Sequence, residues 1–228
     1  MLLDEFYTGA SFDAHSYFGA HEENTGFAFR VFAPGAEKVE LIGDWNDWIG
    51  AKMDRDTGGI WSCLAPDAKA GQLYKFRIYQ TDGRVLDKAD PYAFSSELRP
   101  KTASRLVGKS DFHFTDEAWV QARDLYYDAP MNIYELHLGS WRRKPDGEYL
   151  SYRELAELLP DYLKENNFTH VEFLPVMEHP LDASWGYQLS GYFSVTSRYG
   201  TPEALVTLVD QCHQAGLGVI LDLSLIPI

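Results

Sequence analysis

The period of apolar and polar positions changes near residue 130. Before it, short runs alternate. Phe27-Ala-Phe-Arg-Val-Phe32 puts Phe27, Phe29 and Val31 on one face, and Lys38-Val-Glu-Leu-Ile-Gly43, Ile60-Trp-Ser-Cys-Leu64 and Leu73-Tyr-Lys-Phe-Arg-Ile-Tyr79 follow. A period of two marks strands with one buried face. Ala33-Pro-Gly-Ala36 is a turn, and Thr81-Asp-Gly83 is a hairpin signal. Short strands with such turns predict an immunoglobulin-like β-sandwich, its strands over about residues 15–110 and the domain over 1–115. Residues 1–25 show no clear period and read as a leader packed on that domain. Residues 88–130 carry Pro91, Pro100 and Pro130. They read as a surface connector, with 116–130 as the linker and at most a short helix near Asp116–Arg123.

After residue 130 the grammar is different. Ile133–His137, Val171–Leu174 and Gly218–Leu223 are apolar runs, and two segments of helical period lie between them. Ser151-Tyr-Arg-Glu154 fits a capping box ahead of the stripe Leu155, Leu158, Leu159, Tyr162 and Leu163. Pro160 lies inside that stripe, so a kink or a second segment is expected there. Asn166-Asn167 ends it. Thr201-Pro202 reads as an N-cap with proline at the first helical position. Leu205, Leu208, Val209 and Cys212 form the next stripe, and Gly216 is its stop. Strand, helix, strand, helix, strand predicts parallel pairing with crossover helices over 131–228. A loop of about 25 residues after Leu174 is long enough to be a functional candidate. In parallel α/β barrels, chemistry sits where strands end.

Composition narrows the partners. The net charge is −14 and the pI about 4.8. Such a surface argues against nucleic acid and anionic membrane and is compatible with a neutral substrate. Aromatics reach 14% of residues, which suits either cross-strand ring pairs or sugar-binding surfaces. Cys63 and Cys212 lie in no metal-ligand spacing and read as buried free thiols of a reducing, cytoplasmic compartment. The N-terminus reads as no signal peptide, and no apolar run reaches transmembrane length. His137, His170 and His179 fall on different elements and read as structural histidines, so no metal and no cofactor is expected. Glu135 and Glu172 read as paired structural charges.

Several motifs carry a resemblance. Ile133-Tyr-Glu-Leu-His-Leu-Gly-Ser-Trp-Arg-Arg143, Phe168–Pro180, Ser184-Trp-Gly-Tyr-Gln188, Gly191-Tyr-Phe193 and Gly216-Leu-Gly-Val-Ile-Leu-Asp222 resemble the glycogen (1,4-α-glucan) branching enzymes of the α-amylase superfamily. Gly43-Asp-Trp-Asn-Asp-Trp48 and Tyr74-Lys-Phe76 resemble the starch- and glycogen-binding module that precedes their barrel. The resemblance runs from about residue 15 to 222. It implies a sandwich followed by the first three β/α units of an incomplete (β/α)8 barrel. The activity it implies is transfer of α-1,4-glucan segments to 6-hydroxyls. The implied partners are α-glucans: glycogen, amylose and maltooligosaccharides. Tyr187 would stack on the sugar before the cleaved bond, and Asp222 would help hold that subsite. Trp48 and Lys75 are the module's candidate glucan contacts. Trp45, Trp48 and Trp61 also read as sandwich core.

The resemblance has gaps. Val85 stands where the module's second stacking ring is expected, which predicts weak affinity. The family places a His five residues after the strand-three Asp, and here that position is Pro227. The family's nucleophile, its acid/base and its third carboxylate all fall later than residue 228. A full barrel needs about 250 residues, against about 100 after Pro130. The break after Asp222 reads as a frameshift, a premature stop or an incomplete gene, and the 228 residues are expected to be inactive alone. Two rival readings are a non-catalytic glucan-binding or regulatory module and a fragment of a trehalose-forming hydrolase or debranching enzyme.

Overall fold

The computed structural model describes residues 3–122 and 129–224. The chain divides into two compact units, Met1–Lys109 with Gly191–Ser194, and Ser110–Ser190 with Val195–Ile228.

The first unit is a sandwich of two antiparallel sheets. It begins with helix α1 (Leu3–Tyr7) and continues with strands β1 (Gly19–Glu23), β2 (Gly26–Phe32), β3 (Ala36–Gly43), β4 (Ala51–Lys52), β5 (Asp54–Arg55), β6 (Ile60–Ala65), β7 (Leu73–Gln80), β8 (Val85–Lys88) and β9 (Ser104–Arg105). One sheet has the order β1-β2-β6-β5 and the other β4-β3-β7-β8, with β9 also on β7. The chain changes sheets at Met53, which is fully buried between β4 and β5. Phe27, Phe29, Val31, Val39, Leu41, Trp61, Tyr74 and Phe76 meet in the core between the sheets, as the period-two pattern requires. The β7–β8 hairpin closes at Gly83 with φ 84°. The leader departs from expectation, because residues 19–23 pair with β2 as a full strand.

The second unit contains helix α2 (Glu117–Ala122), strand β10 (Ile133–Leu136), the single-turn helix α3 (Leu138–Trp141), helix α4 (Tyr152–Glu165), strands β11 (His170–Phe173) and β12 (Met177–Glu178), helix α5 (Pro202–Gln214) and strand β14 (Gly218–Leu221). Strand β13 (Gly191–Val195) straddles the division between the units. β10, β11 and β14 form a parallel sheet with β11 central. The helices form where their caps predict. The Ser151 hydroxyl accepts from Glu154 N–H while the Glu154 carboxylate accepts from Ser151 N–H. Thr201 caps α5 with Pro202 at its start. α4 runs as one helix through Pro160, with no second segment. Leu155, Leu159 and Leu163 of α4 and Leu205, Leu208 and Cys212 of α5 cover the Leu136, Val171 and Phe173 side of the sheet. The opposite face, carrying Ile133, Glu135, His170, Glu172, Ile220 and Asp222, remains open to different degrees.

Candidate functional site

At the carboxyl ends of these strands the long loop after Leu174 folds back on itself. Ser190 N–H donates to Glu178 O and Thr196 N–H to Val176 O, so its two arms run side by side. Between them a 3-10 turn, Asp182–Ser184, delivers Trp185 in the left-handed region at φ 53°. Tyr187 follows two residues later. Its hydroxyl donates to the Asp222 carboxylate, which lies just past the end of β14. Asp222 is placed by its own N–H, which donates to Phe173 O at 2.9 Å. The two barrel residues singled out from the sequence, 35 positions apart, are therefore brought together.

Tyr187 stays 38% exposed while its hydroxyl is held. The bond to Asp222 raises its hydroxyl pKa to about 12, with smaller contributions from burial and from Asp222, Glu135 and Glu172 charge. Glu135 and Glu172 are paired in strand register. They stand side by side on β10 and β11, two like charges on the open face with no ion-pair partner among the described residues.

The histidines have local partners. His137 Nδ1 bonds Ser140 Oγ at 3.0 Å, His170 Nδ1 bonds Thr169 Oγ1 at 2.8 Å and His179 Nδ1 bonds Met177 O at 2.9 Å. Burial pushes the pKa of both His137 and His179 down. Among the described residues no group of His, Cys, Asp and Glu is arranged to hold a metal ion.

Sequence reasoning missed two features of the loop. The His137 imidazole stacks on Trp185 with centroids 5.7 Å apart, and Trp185 is 53% exposed. Below the turn, Arg198 Nη1 donates to Glu178 at 2.8 Å and Nε donates to Asp182 at 2.7 Å. Nothing local in Ser197-Arg198-Tyr199 announces those partners, which lie 20 and 16 residues earlier.

On the sandwich, the three tryptophans part company. Trp61 is buried in the core and Trp45 packs against it, stacked on Phe29. Trp48 is a correction to the core reading. It is half-buried, sits outside that cluster, and is held at φ 60°. Its indole N–H donates to Asp44 Oδ1 at 3.1 Å, while Asp44 Oδ2 accepts from Leu73 N–H at 2.8 Å. Trp48 is thus tied to the start of β7, two residues before Lys75, whose Nζ donates to Thr102 Oγ1 at 2.8 Å. Val85, where a second ring was expected, is 49% exposed on β8.

Comparison with known proteins fits both halves. Residues 17–93 match the carbohydrate-binding module 48 (isoamylase N-terminal domain) family, and residues 156–225 match the alpha amylase catalytic domain family. The fold is that of a putative alpha amylase from Salmonella typhimurium (TM-score 0.71, 25% identity, 91% of this chain and 33% of that one). It is also that of the catalytic module of a glycogen-degrading pneumococcal virulence factor (TM-score 0.70, 20% identity, 92% and 38%). The class is a module 48 β-sandwich followed by the start of an alpha-amylase-type domain.

The sequence relatives are more particular. The chain is 50% identical to the 1,4-alpha-glucan branching enzyme GlgB of Bacillus caldolyticus over 95% of its own length and 34% of that enzyme. It is 48% identical to that of Fusobacterium nucleatum over 95% and 36%, and 47% to that of Geobacillus stearothermophilus over 95% and 35%. Over nearly all of its own length the chain is thus similar to 1,4-alpha-glucan branching enzymes. The chain spans about a third of the length of the curated relatives it matches.

Proposed function

We propose that this chain is the glucan-holding part of a cytoplasmic glycogen branching enzyme, which transfers α-1,4-glucan segments to 6-hydroxyls and makes α-1,6 branches. The observation that carries the reading is the Tyr187–Asp222 contact at the strand ends, which offers a ring face and a carboxylate to one sugar. Flat rings bind the apolar faces of sugars, while fixed carboxylates order their hydroxyls. On the sandwich, Trp48 and Lys75 form a second, weaker contact. The domain division that goes with this reading is 1–115 for the module, 116–130 for the linker and 131–228 for the barrel part.

The chemistry needs more than these residues supply. Retaining transfer uses a carboxylate nucleophile and an acid/base carboxyl about 5–5.5 Å apart. Asp222 is occupied by Tyr187 and is assigned to binding. The 228-residue polypeptide alone therefore holds glucan without cleaving it.

Titration with maltoheptaose, followed by tryptophan emission, tests the reading. Emission should change in the wild-type chain. Tyr187→Ala should remove the part reported by neighbouring Trp185, and Trp48→Ala the part reported by the sandwich. No change in the wild type, or the same change in both variants, would overturn it.

A further inference from the structure

Arg198 has a side chain only 2% exposed, and it reaches two acids at once. Glu178, also buried, accepts as well from Ser197 N–H and Ser197 Oγ, each at 2.8 Å. Asp182 begins the 3-10 turn, and its carbonyl accepts from Trp185 N–H at 3.0 Å. One guanidinium thus ties the incoming arm of the loop, the outgoing arm and the turn that presents Trp185 and Tyr187. The turn has little slack. Trp185 sits in a backbone region that side chains with a Cβ occupy at a cost. Gly186 follows at φ +87°, and a Cβ there would lie 2.3 Å from Pro175 O. Strain of this kind persists only where surrounding contacts over-determine it.

We infer that Arg198 is a positioning residue for glucan binding, clamping Glu178 and Asp182 so that Trp185, backed by His137, and Tyr187, held by Asp222, form a two-ring sugar platform. This rests on the proposed role of Tyr187 in holding glucan. It adds Trp185 as a second stacking surface and assigns the loop's geometry to an ion cluster centred on the buried Arg198 and Glu178, with Asp182 partly open to solvent. Only a planar fork donates from Nε and Nη1 along two directions at once. Lysine keeps the charge but has one point of attachment.

Nuclear magnetic resonance of the 228-residue chain at neutral pH tests the clamp without any glucan. Wild type should show cross-relaxation between the Trp185 indole and His137 imidazole protons. Its Tyr187 phenolic carbon should also have a shift distinct from that of Asp222→Asn. In Arg198→Lys, and in the milder Asp182→Asn, the Trp185–His137 cross-peak should disappear. The Tyr187 carbon should move to its Asp222→Asn position, while Leu159 and Leu208 methyl signals stay as in wild type. If Arg198→Lys loses those methyl signals, Asp182→Asn decides. Folded variants that keep both the cross-peak and the Tyr187 shift would overturn the proposal. If the clamp behaves as expected but maltoheptaose does not bind, the glucan reading falls and the positioning role of Arg198 stands.

Discussion

Among single residues, Asp90 carries the plainest consequence of burial. Tyr74 Oη donates to its Oδ2 at 2.6 Å and Tyr92 N–H to its Oδ1 at 2.8 Å. Even so, burial outweighs those bonds and raises its carboxyl to about 6. An unfolded aspartate titrates near ~4. The folded state therefore binds the proton more tightly, and the contribution to stability is full below about 4 and lost as pH rises through about 6. Asp90→Asn removes that dependence. The melting temperature of the wild type, measured relative to Asp90→Asn, should fall between pH 4 and pH 7, by an amount equivalent to roughly 3 kcal/mol at most. A difference that stays flat over that range would show that Asp90 does not titrate there. At the same scale, Tyr187 and Trp48 share a design. Each ring is fixed through its polar atom by an aspartate, Asp222 or Asp44, and each keeps part of its surface open. Tyrosine and tryptophan lose little side-chain entropy when tethered in this way.

Among the elements, the parallel sheet has the most to lose. β10 and β14 are its edges among the described residues, and Leu221 on β14 is 50% exposed. An exposed apolar edge pairs with other copies unless a charge blunts it. Sedimentation velocity should show the 228-residue polypeptide self-associating with concentration, and Leu221→Lys should move it toward monomer. Equal association in both proteins would place the contact elsewhere. The elements also show how much the sequence could say. α4 and α5 were legible because their signals are local: Ser151 with Glu154, Thr201 with Pro202, and Gly216 at φ +80°. β1 was not, because Gly19-Ala-His-Glu-Glu23 is short and owes its place to pairing with β2. α3 is a single turn after His137, too short for a period to show. Trp48 could not be told from its neighbours by pattern, since half-burial depends on Asp44 reaching across to β7. Tyr187 and Asp222 were linked only through family resemblance. Their contact spans 35 residues, far beyond the reach of a local period.

For the whole molecule, the charge of −14 and the open sheet face with Glu135, Glu172 and Asp222 favour a neutral ligand over an anionic one. The central claim is that this polypeptide holds α-glucan and does not rearrange it. One proton magnetic resonance experiment on amylose mixed with the 228-residue chain tests both parts in a single sample. Saturating the protein should transfer magnetisation to glucose ring protons, and a Trp48→Ala/Tyr187→Ala double variant should abolish that transfer. The α-1,6 anomeric signal should stay at the level of amylose alone. Absence of transfer in the wild type, or growth of the α-1,6 signal above the blank, would contradict the account.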